Sequence, residues 1–236
     1  MKKKLILFSL LSIISFSEMN AQDGKMQTKK NAVMFDHISR NSFALDYEEV
    51  YDGTPYNNPN FLMGDIYIKN KLTAPNTSLR YNIYADEIEV KEYPNDDETK
   101  LKALTKTPDI HITILNKKYV YLTKIQGISE GGYFLELQKG KNVMLYKKLI
   151  KKFYPAKKAK TSFERDLPAS FKDKPVYYYK TVDGKMNEIP TSKNKIIKSL
   201  SELNKGIKTY IKKTKINVTT EKGLMKALKY CDANML

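Results

Sequence analysis

The sequence is poor in the residue types that most often build catalytic and metal centres. Its 236 residues include one cysteine, Cys231, two histidines, His37 and His111, and no tryptophan. A lone cysteine has no partner for an internal disulfide, so the fold must be stabilised by buried apolar surface. The histidines lie far apart in the chain and give none of the short ligand spacings that hold zinc. Because glycine-rich phosphate-binding motifs are also missing, the sequence predicts no cofactor.

Arginine is scarce although the chain is strongly basic. Arg40, Arg80 and Arg165 are the three arginines among 42 basic residues, and the formal net charge is +16. Specific recognition of bases favours the planar arginine fork, so we expect no specific nucleic-acid partner. Residues 22–140 carry 15 basic against 17 acidic residues, whereas residues 141–236 carry 24 against 8. The basic half indicates either an anionic surface or partner, or a solvated face in a lysine-rich protein.

One stretch matches a catalytic motif, the G-x-S-x-G of residues 127–131. In a hydrolase elbow the serine follows a strand and precedes a helix, and an acid and then a histidine follow in the chain. Here Ser129 is followed by the alternating pattern of a strand, and both histidines lie upstream of it. We therefore interpret the motif as a turn and predict that the protein is not an enzyme.

Carboxylates gather in two short segments, 86–89 and 96–98. Neither segment has the glycine and ligand spacing of an EF-hand loop, so we predict no metal site and interpret both as solvated turn residues. Weak calcium binding by the second segment remains an alternative. A hydrolase with two carboxylates needs no fixed sequence spacing and also remains an alternative.

The N-terminus has the order of a secretory signal. Lysines at Lys2–Lys4 precede an apolar run, Leu5–Phe16, and a polar stretch that ends at Ala21. The apolar run is too short to anchor the chain across a bilayer. We predict a signal peptide at residues 1–21, a flexible leader at residues 22–42 and no transmembrane segment after signal removal.

Hydrophobic periodicity predicts a sheet over residues 43–189. Apolar and polar residues alternate there, with turns expected at residues 85–86 and 116–117. Successive hairpins predict an antiparallel β-meander of roughly eight to ten strands, either strongly curved or partly closed into a barrel. A segment with three prolines and no sustained period predicts a long loop at about residues 155–175.

The period becomes helical in residues 190–236, where Thr191 and Thr220 are candidate N-caps. Three apolar stripes indicate helices with one buried face each. The stripes are Ile196, Ile197, Leu200 and Leu203; Ile207, Tyr210, Ile211 and Thr214; and Leu224, Leu228, Cys231 and Met235. A curved sheet has a face for such helices to cover, so we expect an α+β fold with the helices packed on the meander.

The phrase LRYNIYADEIEV is preceded by GTPY at Gly53–Tyr56 and by GDIYIK, and is followed by GGYFLEL and GKNVMLYKK. Together these strand and turn patterns resemble a family of uncharacterised exported proteins of Bacteroidetes-type bacteria, over roughly Gly53 to Met235. That family has no established catalytic residues to carry over. The resemblance implies location in the periplasm or cell envelope of a Gram-negative bacterium, or secretion.

We therefore predict a non-enzymatic envelope protein with a binding or scaffolding role at an anionic surface or partner. The partner would be lipopolysaccharide, anionic lipid or a protein. The candidate contacts are Lys147, Lys148, Lys151, Lys152, Lys157, Lys158 and Lys160. A periplasmic carrier of an apolar ligand or lipid is the alternative, and its sign would be a continuous apolar cavity of several hundred Å³. The carboxylate-dependent hydrolase would require a cleft with convergent carboxylates.

Overall fold

A computed structural model describes residues 38–41, 51–93, 97, 101–124, 127–128 and 130–235. The predicted signal peptide and most of the predicted leader lie outside the described residues. Fourteen strands and then three helices follow one another along the described chain. Among these residues, no helix combines the length and the apolar character needed to cross a bilayer.

The strands fall into one large and one small sheet. The strands are β1 (Ser39–Asn41), β2 (Tyr51–Asp52), β3 (Leu62–Ile68), β4 (Lys71–Asn82), β5 (Glu87–Lys91), β6 (Lys102–Leu104), β7 (Ile110–Ile114), β8 (Lys117–Leu122), β9 (Gly132–Lys139), β10 (Val143–Lys148), β11 (Lys151–Tyr154), β12 (Ala169–Asp173), β13 (Val176–Thr181) and β14 (Met186–Ile189). The helices are α1 (Lys193–Leu203), α2 (Ile207–Thr214) and α3 (Glu221–Ala233).

The large sheet contains 11 strands in the order β1-β6-β5-β4-β3-β7-β8-β9-β10-β13-β14. Its neighbouring strands are antiparallel, as expected when hairpins follow one another along the chain. The predicted α+β class is confirmed, and the meander is slightly larger than the eight to ten strands expected. Within the described residues the sheet is curved and open, because its edge strands, β1 and β14, do not pair with each other.

Two-residue turns join several of these strands. Lys69 and Asn70 connect β3 to β4, and Leu115 and Asn116 connect β7 to β8, all with positive φ between 48° and 64°. Positive φ at both central residues gives the turn whose twist matches the twist of the flanking strands. The second turn lies one residue earlier than the sequence predicted.

Asp86 contacts strands that lie far apart in the order of the large sheet. It sits at the predicted turn between β4 and β5, with φ of 53°. Its carboxylate accepts a hydrogen bond from the hydroxyl of Tyr81 at 2.6 Å and from the backbone N–H of Tyr133 on β9 at 3.2 Å. It also forms an ion pair with Lys148 on β10 at 2.8 Å. Three strands separate β4 from β9 in the sheet order, so these contacts show that the sheet curls back on itself.

The outer face of β4 and β5 carries a buried charge cluster. Glu89 is 1% exposed, and its carboxylate accepts hydrogen bonds from Arg80 Nε at 2.8 Å and from Asn82 Nδ2 at 3.0 Å. Glu87 is 4% exposed and is paired with Arg40 of β1. The prediction that the carboxylates of segment 86–89 are solvated is therefore wrong.

The charge cluster is buried because a segment that belongs to no strand covers it. The segment before β3 crosses the face, and the rings of Tyr56 and Phe61 lie 3.9 and 4.3 Å from the guanidinium carbon of Arg80. The carbonyl of Pro59 also accepts a hydrogen bond from Arg80 at 3.0 Å. Because every charge in the cluster has a charged or hydrogen-bonding partner, burial does not leave it unsatisfied.

The C-terminal helices cover the other end of the sheet, as predicted. Leu200 of α1, Ile207 of α2 and Leu228 of α3 are fully buried against Leu145 of β10 in one apolar cluster. Thr220 caps α3, since its hydroxyl accepts a hydrogen bond from the N–H of Gly223 at 3.2 Å. The N-cap of α1 is Ser192, one residue after the predicted Thr191, and its side chain makes no capping hydrogen bond.

Two predicted boundaries change. The loop expected at about residues 155–175 ends at residue 168, because residues 169–173 form β12, which pairs with β11 and, in parallel, with β2. Ala169 and Phe171 point inward from this short strand. Strand β1 lies inside the predicted leader and pairs with β6.

Candidate functional site

Three of the seven candidate lysines form ion pairs with carboxylates of the same chain. The pairs are Lys147 with Glu221 (2.8 Å), Lys148 with Asp86 (2.8 Å) and Lys151 with Asp173 (2.9 Å). The Lys151 side chain is only 9% exposed. Each pair joins two elements of the fold, so these three lysines act as structural links and do not form a free cationic surface.

The electrostatics of these links follow from burial. Burial lowers the pKa of Lys148, and the nearby Lys106 adds to the effect, although Asp86 opposes it. For Lys147, burial also lowers the pKa, but hydrogen bonds with Glu221 and Tyr177 outweigh it and the net pKa is raised. The charged form of Lys147 is therefore held in place beside the first turn of α3, where Glu221 lies.

Lys147 and Lys151 also line a pocket of about 270 Å³. The remaining lining residues are Asn57, Ile83, Leu149, Ile150, Asp173 and Pro175. Both lysines of this pocket are already paired, and polar side chains interrupt its apolar wall. The lining is therefore unlike the continuous apolar cavity that a lipid carrier would need.

The other four candidate lysines are exposed. They are Lys152, Lys157, Lys158 and Lys160, on β11 and in the loop of residues 155–168. Lys152 lies directly opposite Lys172 across the β11–β12 pair. Within the described part of the chain, neither these four lysines nor Lys172 forms an ion pair through its side chain. We call Lys152, Lys157, Lys158, Lys160 and Lys172 the lysine face.

One tyrosine ring contacts both opposed lysines of the lysine face. The ammonium groups of Lys152 and Lys172 lie 5.2 and 5.4 Å from the ring centre of Tyr154. Like charges directly opposite each other across a strand pair are destabilising, and cation–π contacts at exposed sites stabilise by a similar amount. The two ammonium groups therefore share one aromatic ring as their contact.

The loop of residues 155–168 has a defined backbone. Lys157 and Leu167 exchange two backbone hydrogen bonds of 2.8 Å each. The carboxylate of Asp166 accepts from the N–H of Ala159 at 2.7 Å, and the carboxylate of Glu164 accepts from the N–H of Lys160 at 2.9 Å. Both acidic side chains of the loop therefore bind its own backbone, and the basic side chains remain exposed.

Sequence reasoning missed the apolar part of this surface. Phe163 lies in the turn of the loop and is 98% exposed, and Leu167 is also exposed. The prediction of a long loop without a period gave no role to Phe163. A phenylalanine whose two neighbours on either side in the chain are all polar or charged is the signal that could have indicated it.

The remaining sequence candidates give no assembled reactive centre within the described residues. Ser129 and His37 lie outside the described residues, whereas Gly127 forms a turn with φ of 96°. His111 stacks on Tyr67 with ring centres 4.7 Å apart, and burial together with Lys118 lowers its pKa. In the described ranges, no three histidine, cysteine or acidic side chains are grouped closely enough to hold a metal ion.

Comparisons of the chain with protein families, with curated proteins and with solved structures find no match. Function must therefore be inferred from the charge and geometry of the described residues. The lysine face offers exposed ammonium groups, which bind anions such as phosphates.

Proposed function

We propose that this protein is a non-enzymatic, exported binding protein of the bacterial cell envelope that attaches to an anionic surface through the lysine face. The observation that carries the proposal is the opposed pair Lys152 and Lys172, which has no carboxylate partner among the described residues. An anionic group placed between them would relieve their repulsion, so binding would be favoured at this position.

Two features of the sequence support the envelope setting of this proposal. The N-terminal residues have the order of a secretory signal, and the charge excess lies in residues 141–236, which include the lysine face. A bilayer or lipopolysaccharide layer with exposed phosphates provides the complementary charge.

The expected strength depends on ionic strength. Each lysine close to an anionic membrane surface contributes about 1 kcal/mol, and the attraction falls off within a Debye length of about 8 Å at physiological salt. Five exposed lysines are therefore enough for firm attachment at low salt. Binding should weaken strongly as salt is added.

The test is co-sedimentation of the mature protein with lipid vesicles. We expect the protein to pellet with an equimolar mixture of phosphatidylcholine and phosphatidylglycerol at low salt, and to stay in solution with phosphatidylcholine alone. Vesicles whose only anion is lipopolysaccharide distinguish the two envelope sources of the same phosphate chemistry. No pelleting with either anionic vesicle at low salt would refute the proposed function.

Two variants of equal charge locate the contact. In the face variant, the five residues of the lysine face are changed to glutamine. In the helix variant, five exposed lysines of α1 and α2 are changed to glutamine: Lys195, Lys198, Lys208, Lys212 and Lys213. Both lose the same formal charge, so only a site-specific contact predicts a greater loss of vesicle binding in the face variant.

A further inference from the structure

The side chain of Phe163 is almost completely exposed to solvent. Its 98% exposure exceeds that of every other exposed large apolar side chain in the described ranges, of which Val182 at 71% is next. Scattered apolar residues are normal on a protein surface. A fully exposed aromatic ring at the end of a basic loop is a stronger indication of a binding surface, because backbone hydrogen bonds of the loop fix the position of the ring.

The loop holds Phe163 at its tip. The N–H of Glu164 donates to the carbonyl of Thr161 at 3.2 Å, which closes a turn with Phe163 at its third position. Below the turn, the paired backbone of Lys157 and Leu167 fixes the two arms of the loop. The ring is therefore presented on an ordered support, and little ordering would be needed when it meets a partner.

Basic residues surround this tip in the chain. Lys157, Lys158 and Lys160 precede Phe163 and Arg165 follows it, all with exposed side chains. An aromatic ring flanked by lysine and arginine is the combination that lies at a membrane interface, with the ring among the acyl chain ends and the cations at the headgroup phosphates. A soluble polyanion would use the cations and leave the ring in water.

We infer that the loop of residues 155–168 is a membrane-insertion tip, in which Phe163 enters the interface of an anionic lipid bilayer while the lysine face contacts the headgroups. This inference rests on the proposed function and specifies its surface as a lipid bilayer. Leu167, which is also exposed, lies at the base of the tip and would reach the headgroup level after Phe163.

The chain contains no tryptophan, so Phe163→Trp creates a single fluorescent reporter at the tip. We expect its emission to shift to the blue on equimolar phosphatidylcholine and phosphatidylglycerol vesicles, and to be quenched when the lipids carry bromine on their acyl chains. The matched control is Val182→Trp, at an exposed turn after β13. Thr181 pairs with Val143 at the start of β10 in the large sheet, whereas the tip lies in the loop between β11 and β12 of the small sheet. The control reporter should show neither change.

Phe163→Ala gives an independent readout. Removing a ring that inserts should reduce the partition coefficient on anionic vesicles on the order of tenfold, while the fold is unaffected because the ring packs against nothing. If Phe163→Trp pellets with the vesicles but its emission is neither shifted nor quenched, attachment is by charge alone and the insertion tip is refuted while the proposed function stands. If the unaltered protein does not pellet with any anionic vesicle, the proposed function fails and the inference fails with it.

Discussion

Replacement of Asp86 by alanine should open the curved sheet at its closing contact. The carboxylate of Asp86 binds Tyr81, the backbone N–H of Tyr133 and Lys148, which belong to β4, β9 and β10. In Asp86→Ala all three groups lose this acceptor together. Lys148, whose side chain is 18% exposed, would be left with the carbonyl of Tyr133 as its hydrogen-bonding partner at 3.1 Å.

The magnitude follows from the three contacts. Each of the two hydrogen bonds to the Asp86 carboxylate contributes about 1.5 kcal/mol, because the acceptor is charged. A partly exposed ion pair adds up to about 1 kcal/mol, and the stranded charge of Lys148 increases the cost further. We therefore expect Asp86→Ala to lower the free energy of unfolding by about 3 kcal/mol. Lys148→Met keeps the apolar stem and both hydrogen bonds of Asp86, so its cost should be about 1 kcal/mol.

The assay is urea unfolding followed by circular dichroism, with Asp86→Ala, Lys148→Met and the double variant compared with the unaltered protein. The double variant should be more stable than the sum of the single effects indicates, by about 1 kcal/mol, because the two residues share one interaction. An Asp86→Ala protein within about 0.5 kcal/mol of the unaltered protein would show that this contact does not hold the curvature.

Three further predictions concern single residues of the fold. Cys231 is fully buried and burial raises the pKa of its thiol to about 11, so Ellman's reagent should label it only after unfolding; rapid labelling of the native protein would mean that the helices do not cover the sheet. The hydroxyl of Tyr133 is buried without a hydrogen-bond partner in the described chain, so Tyr133→Phe should leave the urea midpoint unchanged or raise it, and a loss above about 1 kcal/mol would contradict this. Burial raises the pKa of Asp232, but hydrogen bonds from the backbone N–H groups of residues 141–143 outweigh it and lower the pKa below its ordinary 3.8. The stabilisation that Asp232 provides should therefore be complete above about pH 4 and be lost as the pH falls through its lower pKa in the folded state. The stability deficit of Asp232→Asn, measured by urea unfolding, should shrink in acid. A deficit that does not change with pH would contradict the assignment.

Local sequence patterns predict the parts of the fold that depend on local physics. The helical stripe through Ile196 and Leu200 is recoverable because burial of one helix face imposes a period on neighbouring residues. Thr220 is recoverable as an N-cap because its hydroxyl binds a backbone group three residues away. The hairpins are recoverable because alternation and turn residues lie within one short segment.

Other features depend on residues that are distant in the chain. Glu87 and Glu89 look like turn carboxylates, and only the cover supplied by Arg40 and by the segment before β3 buries them. Strand β12 has five residues and pairs in part with a strand over 100 positions away, so no local pattern indicates it.

The candidate site shows the same division. The sequence locates the lysine-rich stretch, but it cannot separate Lys147 and Lys151, which are paired with Glu221 and Asp173, from Lys152, which faces another lysine. Strand alternation sends Lys151 and Lys152 to opposite faces, yet the identity of the facing residues comes only from the tertiary pairing. Phe163 was missed because exposure of an aromatic ring is a property of the folded loop.

The most direct measurement is the ratio of the partition coefficients of the face variant and the helix variant on the same anionic vesicles at low salt. If the lysine face is the contact, loss of its lysines, at about 1 kcal/mol for each one near the surface, should weaken binding at least about tenfold more than the matched loss on α1 and α2. Equal losses in the two variants would show that the protein responds to net charge alone, and would contradict an attachment site at the lysine face.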